Sequence, residues 1–296
     1  MCGLLVRVCS QKLIVVGAAG QVGRAVCQLV PDAVALTRRE LDLTGDVRSA
    51  CRLYSTPGAT LLNLSAFTAV DAAEDAARAE EVWAVNGRAP GELALACAET
   101  GMRMIHVSTD YVFSGDRPEG QLNGEADPVG PVNEYGRSKL AGERAALAAG
   151  ATVVRTSWVY TGPENTGGDF VKTMVDLASR GVDLRVVDDQ WGRPTRALDL
   201  ARALVDLAEA GVGDNQLLHI AGSGEPITWF TFARAVFEEA GFDPARVSPV
   251  PTREYPTAAQ RPLNAALDTS AYEKLCESVK LTPMPAWRES LREALR

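Results

Sequence analysis

Short apolar runs alternate with amphipathic stretches along most of the chain. Residues 12–16 are rich in Ile and Val, are too few for a helix and stop at Gly17, which predicts a strand. In residues 21–29 the apolar side chains recur at the i, i+3, i+4 and i+7 spacing of one helix face. The same two patterns predict strands at 33–37, 60–64, 102–108, 152–156 and 217–220, and helices at 79–99, 135–149 and 197–210. Strands that alternate with helices through short connections predict an α/β fold with a doubly wound parallel sheet.

Two departures from this alternation indicate how the chain is divided. Residues 113–134 are rich in Pro and Gly, and loops of this length in compact domains are often functional. Beyond residue 157, Trp, Pro and turn residues become frequent, although a helix and a strand are again predicted further on. We therefore expect a larger domain formed by residues 1–157 and 196–221 and a smaller, discontinuous one formed by 158–195 and 222–296. Residues 1–11 are expected to be a short extension before the first strand.

Composition and charge remove several classes of function. The net charge of −8 and the pI of about 5.0 argue against a nucleic-acid partner, because phosphate binding requires a basic face. No apolar run approaches the roughly 20 residues that span a bilayer, so no membrane partner is expected. The six cysteines are scattered without a Cys-x-x-Cys pair, which favours free thiols in a reducing compartment. A secretory leader is the weaker alternative, and we expect a cytoplasmic protein.

A glycine pattern joins the first predicted strand to the first helix. Gly17, Gly20 and Gly23 form a G-x-x-G-x-x-G turn, in which the backbone can approach a diphosphate at the N terminus of a helix. This position in the chain favours nucleotide binding. A turn that needs glycine for steric reasons alone is the alternative.

Arginines follow the second predicted strand, where a carboxylate would hold the ribose hydroxyls of NAD. The chain has Arg38 and Arg39 there, and guanidinium groups suit a 2′-phosphate, so NADPH is favoured over NADH. Acceptance of NADH stays open. Two solvated arginines are the alternative interpretation.

One Tyr-x-x-x-Lys pair stands out among the six tyrosines and five lysines of the chain. Tyr135 and Lys139 lie on one face of a predicted helix, and an ammonium beside a phenol is expected to lower the pKa of that phenol. Such a tyrosine can exchange a proton with a substrate oxygen. Thr109 follows a strand at the edge where α/β sheets bind ligands, and its hydroxyl could hold a reacting carbonyl. The alternative for Tyr135 and Lys139 is a pair on the surface of an amphipathic helix. The alternative for Thr109 is a role in a turn or helix cap.

Other catalytic constellations are absent from the sequence. His106 and His219 lie in apolar surroundings on predicted strands and are interpreted as core or edge residues. No cluster has the spacing of a metal site, so no metal ligand is predicted. There is no G-x-S-x-G elbow, which weighs against an α/β-hydrolase.

Together these motifs resemble the extended short-chain dehydrogenase/reductases and, more narrowly, the dTDP-4-dehydrorhamnose reductase family. The resemblance runs from about residue 12 to the C terminus. Its matching segments are residues 17–23, 63–74, 85–86, 108–113, 135–143, 155–160, 189–195 and 261–264. The glycine turn and Tyr-x-x-x-Lys are shared across the superfamily, whereas 63–74, 108–113 and 155–160 are specific to this branch.

The resemblance implies site residues as well as a fold. It implies a Rossmann domain and a smaller nucleotide-sugar domain, with a catalytic triad of Thr109, Tyr135 and Lys139. The cofactor contacts implied or favoured are Gly17, Gly20, Gln21, Val22, Arg38, Asp42, Leu43, Ser65, Ala66, Thr68, Tyr135 and Lys139. The substrate contacts implied are Thr109, Trp158, Gln190, Arg261 and Asn264. Arg261 also carries a direct argument, because its planar guanidinium can hold diphosphate oxygens through two parallel hydrogen bonds.

The activity implied by the resemblance is NADPH-dependent reduction of the C4 ketone of a dTDP-4-keto-6-deoxy sugar, first of all dTDP-4-dehydro-L-rhamnose. A 4-ketoreductase for another dTDP-deoxysugar, of secondary-metabolite or dihydrostreptose type, is the nearest alternative. A non-catalytic regulatory subunit with the reductase fold is a third. Some relatives bind magnesium at a dimer interface, so the resemblance leaves magnesium open, and no site for it is assigned on this chain. A homodimer is left open.

Overall fold

The computed structural model describes residues 12–212 and 215–296. The extension predicted for residues 1–11 lies outside the described residues. No helix in these two ranges is long and apolar enough to cross a membrane.

A six-stranded parallel sheet forms the centre of the molecule, with the strand order β10-β5-β4-β3-β1-β2. Its strands are β1 (Leu13–Val16), β2 (Val34–Leu36), β3 (Thr60–Asn63), β4 (Arg103–Thr109), β5 (Thr152–Thr156) and β10 (Leu217–His219). The chain moves outward from β1 to β2 and then continues on the other side at β3. A crevice therefore opens at the carboxyl ends of β1 and β3, where sheets of this kind bind ligands.

Helices cover both faces of this sheet, as predicted. The described residues form the helices α1 (Gln21–Leu29), α2 (Val47–Arg52), α3 (Ala79–Val82), α4 (Ala89–Thr100), α5 (Glu134–Ala148), α6 (Phe170–Ser179), α7 (Ala197–Ala210), α8 (Trp229–Glu239), α9 (Ser270–Val279) and α10 (Trp287–Ala294), of which α6, α8 and α10 pack in a separate core. Leu13 and Val15 of β1 pack in one core with α1, α7 and α9. Ile14 and Val16 pack in a second core with α2, α4 and α5. The strand period of two therefore sends alternate side chains to two separate helix layers, which confirms the doubly wound α/β fold.

The helical stretch predicted at 79–99 is present and ends before Gly101, but its middle is not a regular α-helix. A wide π-helical turn, Trp83–Arg88, separates α3 from α4. Within this turn the Asn86 side chain exchanges two hydrogen bonds with the backbone of Phe67, at 2.9 and 3.1 Å. Pro90, in the first turn of α4, has no N–H to continue the ladder. The remaining predicted elements agree with the structure to within one or two residues at each end.

Beyond β5 a smaller unit forms around its own aromatic core. Its strands pair two by two, namely β6 (Val159–Tyr160) with β9 (Thr195–Arg196), β7 (Leu184–Val187) with β12 (Val247–Val250), and β8 (Trp191–Gly192) with β11 (Ile227–Thr228). Helices α6, α8 and α10 supply the apolar side chains of this core. Helix α9 lies in the segment predicted for the smaller domain, but its Tyr272 and Cys276 pack in the core of the large sheet. The predicted domain boundaries stay a prediction.

Candidate active site

A cleft of about 900 Å³ runs along the carboxyl edge of the sheet and ends beneath the smaller unit. Its walls come from the glycine turn, from the segments after β2 and β3, from the end of β4, from the start of α5 and from residues 156–159. All the predicted cofactor and catalytic residues line this cleft, namely Gly17, Gly20, Gln21, Val22, Arg38, Asp42, Leu43, Ser65, Ala66, Thr68, Thr109, Tyr135 and Lys139.

The glycine turn packs too closely against the protein for side chains at Gly17 and Gly23. Gly17 has a φ of +86°, and a Cβ there would lie 2.7 Å from Ser65 Oγ. A Cβ on Gly23 would lie 2.3 Å from the Gly17 carbonyl oxygen. Helix α1 begins after Gly20 without any side chain capping its first N–H groups. These free donors at a helix N terminus fit the diphosphate of a dinucleotide.

The far end of the cleft lies beside Arg38 and Leu43. The Arg38 side chain is 70% exposed and its guanidinium lies 3.3 Å from Glu81. Asp42 lies 3.9 Å from the same guanidinium and accepts hydrogen bonds from Thr44. Arg38 is therefore accessible to a phosphate, and its role with a 2′-phosphate stays a prediction.

Two structural devices hold the predicted catalytic residues together. Asn133 caps α5 by accepting a hydrogen bond from Gly136 N at 2.8 Å, which fixes the turn that carries Tyr135. A Cβ on Gly136 would lie 2.3 Å from the Tyr111 carbonyl oxygen, so only glycine lets α5 approach the end of β4 this closely. Thr109, the last residue of β4, thereby comes next to Tyr135.

Burial governs the protonation of these groups. It raises the pKa of Tyr135 to about 12, against a lowering by the hydrogen bond with Thr109. It lowers the pKa of Lys139 to about 8, against a raising by Glu143. The sequence predicts a pKa of Tyr135 lowered by Lys139, whereas in this structure burial raises that pKa and Lys139 is not among the causes of the shift. Tyr135 keeps its proton at neutral pH.

Three buried polar atoms without hydrogen-bond partners belong to residues that line the cleft. Ser108 Oγ, Asp110 Oδ2 and Thr156 Oγ1 are buried and have no hydrogen-bond partner among the described residues. The other Asp110 oxygen accepts from the Thr109 hydroxyl at 2.9 Å. Burial raises the pKa of Asp110 to about 7. Polar atoms left unpaired inside a protein are costly, so these three fit a polar ligand in the cleft.

An aromatic wall closes the cleft on the side of the smaller unit. Trp158 has a φ of +48° and stacks on Trp229, with ring centroids 3.7 Å apart and an interplanar angle of 11°. A Cβ on Gly192 would lie 2.4 Å from the Trp158 ring, so glycine at this position makes room for the indole. Trp158 thus faces the cleft as predicted.

Three of the predicted substrate residues are not among those that line the cleft. Gln190 donates to the Thr252 hydroxyl at 3.0 Å. Arg261 directs its guanidinium fork at both carboxylate oxygens of Asp71, at 2.6 and 2.7 Å. Asn264 is 2% exposed, and its amide donates to the carbonyls of Pro118 and Gln121 while its oxygen accepts from Ala266 N. The Asn264 amide thus holds the long loop in this structure, and its predicted contact with the substrate stays a prediction.

Comparison with known proteins agrees with this geometry. The RmlD substrate binding domain family matches residues 11–296. A dTDP-4-dehydrorhamnose reductase of Mycobacterium tuberculosis is 44% identical, covering 97% of this chain and 93% of that protein. This chain belongs to the dTDP-4-dehydrorhamnose reductase family.

Solved structures of family members have the same architecture. A dTDP-4-dehydrorhamnose reductase from Clostridium acetobutylicum superposes with a TM-score of 0.84 at 30% identity, over 96% of this chain and 98% of that one. The enzyme from Bacillus anthracis, solved in complex with NADP, gives 0.82 at 30% identity with the same coverage. Among curated relatives, a dTDP-4-keto-6-deoxy-D-glucose reductase of Streptomyces niveus is 35% identical over 96% of each chain.

For magnesium, this family member offers no ligand set in the described ranges. Within residues 12–212 and 215–296, no group of three or more His, Cys, Asp or Glu side chains could hold a metal ion.

Several residues of the site were not found from sequence. Asn165, Thr166, Gly167 and Gly168 line the cleft opposite the glycine turn, and Arg24 donates to Asn165 across it at 3.0 Å. Trp229 is the platform for Trp158. His106, interpreted as a core residue, is indeed buried but contacts Lys139. Of these only the Gly167-Gly168 turn was visible as a local signal. The others depend on which distant segments meet.

Proposed function

We propose that this chain reduces the C4 ketone of dTDP-4-dehydro-L-rhamnose to the alcohol of dTDP-L-rhamnose, with NADPH as the reductant. One observation carries the proposal. A single cleft joins the glycine turn and the uncapped start of α1 to Thr109, Tyr135 and Lys139 and ends at an aromatic wall. Family membership supports the substrate class, and the NADP complex of the Bacillus anthracis relative supports the cofactor.

The binding roles follow the walls of the cleft. The N–H groups at the start of α1 would hold the diphosphate of the dinucleotide, and Arg38 would take its 2′-phosphate. Asp42 and Leu43 would lie at the adenosine end, and the segment 65–68 beside the nicotinamide half. Trp158 would flank the sugar ring.

The chemistry needs a hydride and a proton. NADPH, when bound, supplies the hydride. Tyr135 donates a hydrogen bond to the C4 oxygen, on which negative charge develops, and Thr109 would turn its hydroxyl from Asp110 to the same oxygen. Tyr135 then gives its proton to that oxygen, and its raised pKa means that the proton is present at neutral pH. Lys139, one helical turn further along α5, stabilises the phenolate that remains.

A 4-ketoreductase for a different dTDP-deoxysugar is the second candidate. The Streptomyces niveus relative, named for dTDP-4-keto-6-deoxy-D-glucose, favours it at lower identity. The two candidates share every catalytic role above and differ in the stereochemistry at the sugar. The non-catalytic alternative fits less well, because it gives no use to an intact Thr109, Tyr135 and Lys139 cluster inside the cleft.

A two-arm incubation tests the proposal. The purified chain is mixed with NADPH and dTDP-4-keto-6-deoxy-D-glucose, with and without a 3,5-epimerase, and the product sugar is identified by NMR. The proposal expects NADPH oxidation and dTDP-L-rhamnose only when the epimerase is present. Efficient reduction without the epimerase would favour the second candidate, and no oxidation in either arm would contradict both.

A further inference from the structure

Among the described residues, one arginine of the cleft has no carboxylate partner. Arg24 of α1 lines the cleft together with the glycine turn. Its Nη1 donates to the Ala19 carbonyl oxygen at 2.8 Å, and its Nη2 donates to Asn165 Oδ1 at 3.0 Å. Both acceptors are uncharged. Arg38, the other arginine that lines the cleft, lies beside the carboxylate of Glu81.

The position of Arg24 on α1 makes its charge unfavourable in the absence of an anion. Arg24 is the fourth residue of the helix, near the end where the backbone dipole is positive and a cation is disfavoured. Its side chain reaches back to Ala19 in the glycine turn, so the guanidinium lies beside that same end. The first turn of the helix contains no acidic residue. A bound anion would therefore be attracted by the dipole and by the guanidinium together.

The guanidinium also keeps hydrogen-bond donors for a ligand. Of its five N–H groups, one serves Ala19 and one serves Asn165. The remaining N–H groups have no acceptor in the described part of the chain. A planar guanidinium with unused donors, beside the uncapped N–H groups of a helix, suits the oxygens of a phosphate. The diphosphate of a dinucleotide fits these residues.

Asn165 fixes the guanidinium from the opposite side of the cleft. Its side chain is buried, with only 4% exposed. The amide oxygen accepts from Gly167 N at 3.1 Å as well as from Arg24, and the amide nitrogen donates to Asp169 at 2.9 Å. Because the N–H of Gly167 can only donate, the amide atom that faces Arg24 is the oxygen.

Asp169 holds the segment that carries Asn165 in shape. Its Oδ2 accepts from the backbone N–H groups of Thr161 and Gly162, at 3.0 Å each, and its Oδ1 caps the start of α6. The Thr161 hydroxyl donates to Gln21 Oε1 at 2.9 Å, which is a second contact with the start of α1. This segment of the smaller unit therefore meets α1 at two points beside the glycine turn.

We propose that Arg24 binds the diphosphate of the dinucleotide and that Asn165 is a positioning residue that holds the guanidinium beside the start of α1. This inference rests on the proposed function for the identity of the cofactor. NADPH and NADH share the diphosphate, so Arg24 serves both. Arg38 serves the 2′-phosphate, which only NADPH carries.

A contact that merely joins α1 to the smaller unit is the alternative, and charge distinguishes the two roles. The two recorded contacts of Arg24 are with neutral oxygens, so a neutral donor can replace part of them. A diphosphate is an anion, so its binding depends on the positive charge. Glutamine and lysine at this position separate the two effects.

Equilibrium binding of NADPH and of NADH, measured by fluorescence titration without any sugar, tests the inference. Arg24→Gln keeps an amide donor but loses the charge, and it should raise the Kd of both cofactors by roughly tenfold or more. Arg24→Lys keeps the charge and should stay within about threefold of the unmodified protein. Arg180→Ala removes an exposed arginine at the end of α6, outside the cleft, and is the control. Melting temperatures without cofactor establish that the variants fold.

The positioning role of Asn165 is tested in combination with Arg24. Asn165→Ala should raise both Kd values by about threefold and should add no further loss to Arg24→Gln, because it acts only through the guanidinium. Fully additive losses in the double variant would contradict this role.

Three results for Arg24 would overturn the inference. The first is unchanged Kd values in folded Arg24→Gln. The second is a loss confined to NADPH, which would assign Arg24 to the 2′-phosphate. The third is an equal loss in Arg24→Gln and Arg24→Lys, which would indicate a structural contact.

These measurements need no turnover, so they are separable from the proposed function. If the Kd values change as expected but the unmodified protein reduces no dTDP-sugar, the proposed reaction fails and the diphosphate contact stands. If the unmodified protein binds neither cofactor, both are contradicted.

Discussion

Arg261 and Asp71 form a bidentate ion pair between the segment after β3 and the C-terminal part of the chain. The two terminal nitrogens of Arg261 lie 2.6 and 2.7 Å from the two oxygens of Asp71. Arg261 also donates to the Ala259 carbonyl, and its guanidinium holds the pKa of Asp71 at about 2. The two terminal nitrogens of Arg261, which could bind a diphosphate through parallel hydrogen bonds, are thus already bound to Asp71.

This pair makes a two-variant prediction. Arg261→Lys loses the fork geometry, and Asp71→Asn keeps the shape but removes the charge. Because the pair fixes residues 259–261 at the side of the smaller unit, we expect both variants to lower kcat/KM for the dTDP-sugar by roughly tenfold and to leave NADPH affinity unchanged. Arg185→Lys, in the exposed pair with Glu254, is the control and should have no effect.

A loss confined to Arg261→Lys would have a different meaning. It would show that the guanidinium acts on the substrate directly, as the sequence predicts, and that Asp71 only holds it between turnovers. Steady-state kinetics on the four proteins distinguish the two outcomes.

Tyr135→Phe is expected to lower kcat by at least about 100-fold with NADPH still bound, because it removes the proton donor. The matched control is Tyr160→Phe, which makes the same change at a buried hydroxyl that lies outside the cleft and has no hydrogen-bond partner within the described ranges. It should retain full activity. Near-normal turnover in Tyr135→Phe would remove this residue from the mechanism.

Arg38→Ala is expected to raise the KM for NADPH by roughly tenfold or more and to leave the KM for NADH almost unchanged, because a charged hydrogen bond to the 2′-phosphate is lost. Arg39→Ala is the control, since Arg39 is exposed but does not line the cleft. Fluorescence titration with both cofactors measures the effect independently of turnover. Equal use of NADPH and NADH by the unmodified protein would contradict a 2′-phosphate site.

Folding stability is expected to fall in acid because both histidines are buried as neutral rings. Burial, followed by the charge of Arg155, lowers the pKa of His219 to about 3. Between about pH 6.5 and pH 3 the unfolded chain binds a proton at this position and the folded chain does not, so stability rises with pH across that window.

The corresponding measurement is the free energy of unfolding in urea at pH 4.5 to 6. His219→Gln, whose amide oxygen can accept from Arg155, should reduce the slope by about 1.4 kcal/mol per pH unit, the value for one proton. An unchanged slope would show that His219 titrates alike in the folded and unfolded chains.

Much of the fold could be predicted because its signals are local. The glycine turn, the run of Ile and Val in β1 and the helix face of α1 all lie within residues 12–29, and the structure reproduces them. The helix at 79–99 is also found, but the π-helical turn inside it could not be predicted, because the side chain of Asn86 bonds to Phe67, a contact 19 residues away that periodicity does not contain.

The same distinction between local signals and contacts of distant residues applies to the site. Residues that act through position on one element, such as Thr109 at the end of β4 and Tyr135 with Lys139 on α5, come together as predicted. Arg261 pairs with Asp71, which is 190 residues away in the sequence, and no local pattern predicts this pair. The pKa of Tyr135 depends on how deeply the folded chain buries it, which sequence spacing does not show.

Transfer of an isotope tests the central claim most directly. The chain is incubated with dTDP-4-dehydro-L-rhamnose and NADPH that carries deuterium at C4 of the nicotinamide, in each of the two stereochemical forms. The account predicts that one of the two forms places one deuterium at C4 of the rhamnose, detected by NMR and mass spectrometry, and that Tyr135→Phe forms this product at least about 100-fold more slowly. Deuterium at another carbon of the sugar, or oxidation of NADPH without label in the sugar, would contradict reduction at C4 in this cleft.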